Sequence, residues 1–496
     1  MMKMTRVAVA PMVLAALVVG GAVRAAWAQD YNRDIRNAEN QMQRRQHSQA
    51  LKMLDGMLAK YKEPGQVKEI QEHRIDCLMA LKQFGDVLAE VAKLQKDFAQ
   101  DKDLQSRAQL FIGDALRGQE KFPEAVAAYR KLVKEHADYP DRAAEALLRA
   151  GEVYCSALNK PAEGIAVYME VEKTFPDVLP RAAEAARRAA VAHETVTKDL
   201  VKAAAFYQSL AEKYAAVYDE NTRAVYYTKA ADCLTGAGKL PEAQAVAARA
   251  EKAMEATGRK TPFALRQADL LAAMKKMPET RAECERIICA YPLEPPVCQA
   301  AQRKVVDAYR AESKFAETLG AARTLYDAAG SEQDIRAAAQ VVAQAFRSMD
   351  GNLGRANEFL AYQRFGPDGA DGKPGTADDV KVNHLAGVKY AASSPAREKL
   401  FAAAVAAQPK TFEGYRAMAF LYVYWGKPKE AAQHFHLALR ACTDAEVPQA
   451  ASELVLIGMK AYRASFHGLD QVFEYISYGP KGKSGKENIP DPFQGL

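Results

Sequence analysis

Apolar and small side chains recur along this chain with a long period. Tyr129, Tyr168 and Tyr207 are each 39 residues apart, and the pentapeptide Arg-Ala-Ala-Glu-Ala recurs at the same interval, at 142–146 and 181–185. Between successive tyrosines the pattern predicts two helices and a turn. Over 104–141, a first helix should end near Gln119, the turn Lys121-Phe122-Pro123-Glu124 follows, and a second helix runs from Ala125 to about His136 before Tyr139-Pro140. Proline suits the first turn of a helix and the boundary beyond its end. A helical unit of this size cannot bury its apolar face alone, so neighbouring units must stack. The expected architecture is therefore all-α, an α-solenoid of antiparallel helix pairs over 29–364. A Gly/Pro/Asp-rich insertion at 365–397, a second helical module at 398–478 and a tail at 479–496 follow.

Within a pair, Gly113 and Ala125 fall where two helices must approach closely, and Tyr129 fills the space one turn later. Gly151, Gly164, Tyr168 and Pro176 restate this pattern with one extra residue, and Ala203 with Tyr207 restates it more weakly. Near the end of the chain Tyr415, Met418, Ala419 and Tyr422 share one helix. Gly426-Lys427-Pro428-Lys429-Glu430 makes the turn, and Ala431, Phe435 and Ala438 occupy the second helix. In these positions the chain resembles the tetratricopeptide repeat family. The spacing of 38 to 39 residues exceeds the family's 34, so longer helices or turns must absorb the excess; a HEAT-like array explains the period but not the small-residue pattern. The resemblance implies a non-enzymatic surface that holds proteins or peptides in a concave groove.

Residues 1–28 bear on where the protein works. Lys3 and Arg6 precede an apolar run from Val7 to Val23, and Ala26-Trp27-Ala28 places small residues where a signal peptidase reads. Cleavage after Ala28 and a periplasmic or secreted mature chain are expected. Beyond Ala28 the longest apolar patch, around Ala417 to Trp425, falls short of the roughly 20 residues of a spanning helix. Charge excludes one class of partner. The full chain carries 68 Lys plus Arg against 62 Asp plus Glu; without residues 1–28, which hold Lys3, Arg6 and Arg24 and no acid, the balance is 65 to 62. Bases also interleave with acids, as in Glu184-Ala-Ala-Arg187-Arg188, which reads as a solvated helix face rather than a nucleic-acid track.

Seven cysteines, Cys77, Cys155, Cys233, Cys284, Cys289, Cys298 and Cys442, would meet an oxidising compartment. The odd number leaves at least one unpaired. Cys77, Cys155 and Cys233 fall in the first helices of three units and read as core filler. Cys289 and Cys298 flank the turn Ala-Tyr-Pro-Leu-Glu-Pro-Pro, where a bridge is sterically conceivable. No pair has the C-x-x-C spacing of zinc or thioredoxin-like sites.

Candidate chemistry is sparse. Thr235-Gly236-Ala237-Gly238-Lys239 ends like a phosphate-binding loop, but Cys233 stands at the earlier glycine position and Leu240 follows the lysine, so it reads as an inter-helix turn. His434 and His436 diverge by roughly 200° on a helix and share no metal, and His193 has no nucleophile motif beside it. The segment 366–379 breaks the helical rhythm. Asp368, Asp371, Thr376, Asp378 and Asp379 could supply the oxygens a hard cation wants, in a candidate calcium loop that does not fit the EF-hand pattern. A solvated loop between two blocks of repeats is the other reading. Aromatics are dense from Phe412 to Tyr478; most should be core, but Tyr422, Tyr424 and Trp425 cannot all point one way, so one or two should reach the surface as anchors for a partner. The tail is rich in Gly, Lys and Pro and reads as disordered in isolation.

Together these features point to a periplasmic or secreted scaffold for envelope proteins, without chemistry of its own. A solenoid gripping glycan or peptidoglycan and a calcium-dependent surface or adhesion component are the alternatives. If the 366–379 loop binds calcium, adding the ion raises the melting temperature of the purified chain, and the pair Asp371→Asn with Asp378→Asn removes that rise. A melting temperature indifferent to calcium in both proteins leaves a solvated loop.

Overall fold

The computed structural model describes residues 29–254, 260–349, 353–365, 385, 388–443, 445–454 and 457. Among the described residues the regular structure is helical, with no strand. Helix α1 covers 29–43. It is followed by α2 (His47–Lys60), α3 (Pro64–Ala80), α4 (Phe84–Asp97), α5 (Lys102–Gly118), α6 (Phe122–Glu135), α7 (Pro140–Ser156), α8 (Pro161–Thr174), α9 (Leu179–Ala192) and α10 (Leu200–Glu212). Next come α11 (Glu220–Gly236), α12 (Leu240–Ala253), α13 (Thr261–Ala273), α14 (Met277–Ala290), α15 (Pro295–Ala311), α16 (Phe315–Asp327), α17 (Glu332–Arg347) and α18 (Leu353–Phe365). The last are α19 (Pro395–Ala406), α20 (Phe412–Trp425), α21 (Pro428–Ala441) and α22 (Val447–Glu453). Contacts divide the chain into two units, Met1–Tyr226 and Tyr227–Leu496, with the boundary inside α11. Each unit is an α-solenoid of consecutive helix pairs, as the repeat pattern predicts. No described helix is long and apolar enough to cross a membrane.

One turn recurs in nearly every pair. A residue within three positions of the end of the first helix, or of the π-turn that extends α9, is left-handed: Arg45, Lys82, Glu120, Asn159, Lys198, Gly238, Lys275, Ser313 and Gly426 all have positive φ. The next residue ties both helices. Lys121 donates its N–H to the Leu116 carbonyl at 2.9 Å and accepts from the Ala125 N–H at 2.9 Å; Gln83, Lys239, Lys276, Lys314 and Lys427 repeat both bonds with their own neighbours. This is the six-to-one closure of a left-handed helix C-terminus, with the same residue serving as cap of the next helix. The phosphate-loop-like stretch ending at Lys239 is one of these turns, as its sequence implies. The excess over 34 residues lies in the helices: α5 and α7 have 17 residues each, and α6 and α8 have 14.

Small residues set the helix spacing where the sequence places them. A Cβ on Gly113 would lie inside the Tyr129 ring, one on Gly151 inside the Tyr168 ring, and one on Gly164 against the Cys155 sulfur. Both rings are buried, with Tyr129 and Tyr168 only 0% and 4% exposed, so neither can swing aside. The first unit's core continues through Leu147, Leu148, Val153, Ile165 and Val171, and on its amino-terminal side through Leu54, Ile75, Val91 and Leu94. Cys77 and Cys233 are buried as filler, while Cys155 is half-buried.

The second unit departs from a simple row of pairs. Helix α19 packs on α14, and α20 packs on α14 and α16. A single apolar core joins Ile287, Val306, Leu325, Phe346, Phe359, Phe401, Tyr424 and Phe435. The bridge conceivable between Cys289 and Cys298 is absent, and both are free thiols. Cys298 is fully buried in the first turn of α15 and donates to the Tyr291 carbonyl at 3.1 Å. Burial pushes the Cys289 thiol up to about 12 and raises that of Cys298 as well, so both sulfurs stay protonated and poorly nucleophilic.

Two substitutions separate close approach from turn geometry. Gly151→Ala should destabilise the chain by about 1–3 kcal/mol through overpacking against Tyr168. Glu120→Gly, at a left-handed position that strains an L-residue by about 1–2 kcal/mol, should be neutral or mildly stabilising. Urea midpoints of the two variants against the parent check both signs.

Candidate functional site

The repeated pentapeptide proves to be part of a longer unit, Arg-x-x-Glu-x-x-x-Arg, read at 142–149 and 181–188. It lies on α7 and α9, which with α5 form one face of the first unit through direct α5–α7 and α7–α9 packing. Three- and four-residue spacing puts its charged positions on one stripe of each helix. The first arginine reaches back one repeat. Arg142 bonds Asp103 Oδ1 at 2.9 Å and the Ser106 hydroxyl, and Arg181 bonds both Asp141 oxygens at 3.0 and 3.2 Å and Glu145. The glutamate binds the second arginine within its own helix, Glu145 to Arg149 at 2.9 Å and Glu184 to Arg188 at 2.8 Å. That second arginine also crosses to the preceding repeat, Arg149 to Asp114 and Arg188 to Glu152 at 3.1 Å. Asp114 in turn accepts from the buried Tyr129 hydroxyl at 2.7 Å, so the ladder is rooted in the core.

This ladder is more than a solvated helix face. The Glu184 and Arg188 side chains are each only 28% exposed. Burial opposes ionisation of Glu184, but hydrogen bonds from Arg187 and Arg188 outweigh it and hold the carboxyl below its ordinary range. Asp141 is held low chiefly by its hydrogen bonds from Arg181, and Asp103 is held low by Arg142 and Arg107 against the opposing effect of burial. Farther toward the amino terminus the face turns acidic: Arg107 pairs with Glu72 at 2.9 Å, and burial raises the Asp76 carboxyl beside them.

Two cavities open along the ladder. One, of 490 Å³, is bounded by Leu110, Tyr139, Pro140, Arg142, Arg149 and Arg181. The other, of 370 Å³, is bounded by Cys155, Tyr168, Arg187, Arg188, Val191 and Val196. Val191 and Val196 are exposed apolar residues, 38% and 48% accessible. Val196 belongs to a single π-turn, His193–Thr197, that follows α9. Inserted residues of this kind re-aim the side chains that follow them. His193 within it is structural, as its isolation in sequence implies: the ring stacks on Phe206 at 5.7 Å and its Nδ1 lies 3.1 Å from the Thr197 hydroxyl.

Asp368, Asp371, Thr376, Asp378 and Asp379 lie outside the described residues; among the described residues no His/Cys/Asp/Glu cluster could hold a metal ion. Tyr424 and Trp425 are 2% and 8% exposed, which removes both as surface anchors. Trp425 is walled in by Phe401 at 5.8 Å, by Tyr422 stacked at 5.7 Å, and by the Lys427 ammonium over its ring at 3.4 Å. Tyr422 is half-buried and leans on His434 at 4.8 Å. The ladder was within reach of the sequence, because Glu and Arg four apart on a repeating helix, with an Arg at the repeat's start, is an ion-pairing signal.

No family model matches the chain, and no curated protein matches it. Among solved structures it is similar to BtubC (BKLC) from P. vanneervenii, at 15% identity over 45% of this chain and 92% of that one, TM-score 0.33. It is also similar to the TPR2AB domain of yeast Sti1 in complex with pHSP90, at 16% identity over 64% of this chain and 99% of that one, TM-score 0.22. A third is the apo quorum sensor NprR from B. thuringiensis, at 12% identity over 68% and 98%, TM-score 0.25.

Glu145→Gln leaves Arg149 and Arg181 sharing a neutral amide, and should cost about 1–2 kcal/mol at pH 7, less any part screened by solvent. The carboxyls of Asp103, Asp141 and Glu184 are lowered in the folded state, so their stabilisation is full above the ordinary carboxylate range near 4 and is lost as pH falls through the lowered values. Thermal melts of the parent at pH 7, 4 and 2.5 should show the loss of stability concentrated in the last interval.

Proposed function

We propose that this chain is a non-enzymatic scaffold of the cell envelope, exported by the leader ending at Ala28, whose α5, α7 and α9 face holds a partner protein. The observation that carries this reading is the alternation of half-exposed guanidinium and carboxylate groups beside two cavities, with Val191 and Val196 bare at one of them. Such a wall offers donors, acceptors and an apolar foothold to a polypeptide, which presents all three. The rungs are already paired, so partner charges exchange with existing ones instead of meeting isolated ions, which favours specificity over raw affinity.

A photo-cross-linking residue placed singly at Tyr139, Val196 or Met169 tests the face in intact envelopes. Met169, on α8, is 54% exposed and borders neither cavity. The expected result is a discrete set of protein adducts from positions 139 and 196 and none from 169. Equal adducts from all three, or adducts from 169 alone, would sink the assignment.

A further inference from the structure

In the second unit, α16 is buried from Thr318 through Asp327. Part of its cover is not helical: residues 388–392 cross it as a segment without regular structure. The contacts are specific. Arg323, on α16, bonds Asp327 at 3.3 Å, donates to the Val388 carbonyl, and lies with its guanidinium 3.8 Å from the centre of the Tyr390 ring. The Tyr390 hydroxyl donates to Asp327 Oδ2 at 2.9 Å. One turn away, Gly320 leaves the space that the Ala391 backbone occupies; a Cβ at Gly320 would collide with the Ala391 nitrogen and lie 2.9 Å from the Lys389 carbonyl oxygen.

A charged side chain clasping a backbone carbonyl, an aromatic anchor satisfied at its polar tip, and a glycine admitting the backbone are what peptide recognition uses. The segment is also flanked by unfilled space. A cavity of 450 Å³ borders it beside Leu319, Phe346 and Met349, and one of 310 Å³ borders its far end beside Arg281, Glu285 and Tyr309. Its neighbours downstream are held by other means. Ser394 caps α19, and Arg397 pairs with Glu285 at 3.0 Å and donates to the Tyr424 carbonyl at 2.6 Å.

We propose that α16 carries a recognition site for a tyrosine-anchored peptide, occupied in cis by residues 388–392 and able to take the same sequence in trans. The site is separate from the face of the first unit and stands or falls independently of it. Vacating it frees a groove, whereas filling Gly320 closes it, and the two variants therefore predict different things.

The probe is a fluorescein-labelled synthetic peptide of residues 385–396, titrated into the full-length chain by anisotropy, with hydrogen exchange of α16 read in parallel. Tyr390→Ala should bind it about tenfold or more tightly than the parent, whose site is filled. Gly320→Ala should expose α16 to exchange as Tyr390→Ala does, yet bind no peptide. Added peptide should restore α16 protection in Tyr390→Ala alone, and a peptide with alanine in place of the tyrosine should not. Equal affinity for parent and Tyr390→Ala, binding to Gly320→Ala, or unchanged α16 exchange in Tyr390→Ala each overturns the proposal. Should Tyr390→Ala lose helicity throughout, Tyr390→Phe, which removes only the hydroxyl bond to Asp327, carries the same comparison with a smaller gain.

Discussion

Everything regular in this molecule depends on one residue per repeat that bonds to two helices at once. Lys121 closes the end of α5 with its N–H and starts α6 with its carbonyl, and the same pair of bonds recurs at Gln83, Lys239, Lys276, Lys314 and Lys427. A three-residue turn so bonded leaves the helix pair little freedom in angle. Stacking then follows from which side chains face outward from that fixed pair. The left-handed residue before it is usually a lysine, glutamate or serine rather than glycine, so the backbone accepts strain in repeat after repeat. Context must overrule that local preference, and the buried Tyr129 and Tyr168 contacts against glycine are the context that does so.

Within the first unit two kinds of bond run in different directions. Apolar contacts hold the two helices of a pair together, while the charged ladder runs from one pair to the next, Arg142 to Asp103 and then Arg181 to Asp141 and Glu145. Isolated surface ion pairs contribute little, but apart from the exposed Asp141 these are half-buried, shared between several partners and tied to the Tyr129 hydroxyl, which is the arrangement in which such pairs do contribute. The same groups border the cavities, so holding the repeats together and presenting a polar wall are one job for these side chains.

Legibility from sequence varied with the range of the interaction. The helix pairs, the turn between α5 and α6 (expected at 121–124 and found at 119–121), the tight Gly113 and Tyr129 contact and the inter-helix reading of the stretch before Lys239 were readable, because each is set by residues within one repeat. The second unit's packing was not. That α19 and α20 would settle on α14 and α16, burying Tyr424 and Trp425, depends on contacts between helices far apart in the sequence that carry no periodic signal. Burial there also removed the surface role expected of those aromatics. The Cys289 and Cys298 pair failed for a similar reason: closeness in sequence suggested a bridge, but the Cys298 thiol is turned to the Tyr291 carbonyl. The ladder lay between these cases, since its pentapeptide was visible while the reach of its arginines into the neighbouring repeat was not.

Helix α9 faces the core with seven alanines, Ala182, Ala183, Ala185, Ala186, Ala189, Ala190 and Ala192. Alanine loses no side-chain entropy on burial, but it removes little apolar surface from water. Cohesion at α9 therefore leans on Arg181, Glu184 and Arg188 more than its neighbours lean on their charges. It is also followed at once by the π-turn. An array of repeats can separate at any of its interfaces, and at α9 what would have to let go is a set of ion pairs rather than apolar bulk.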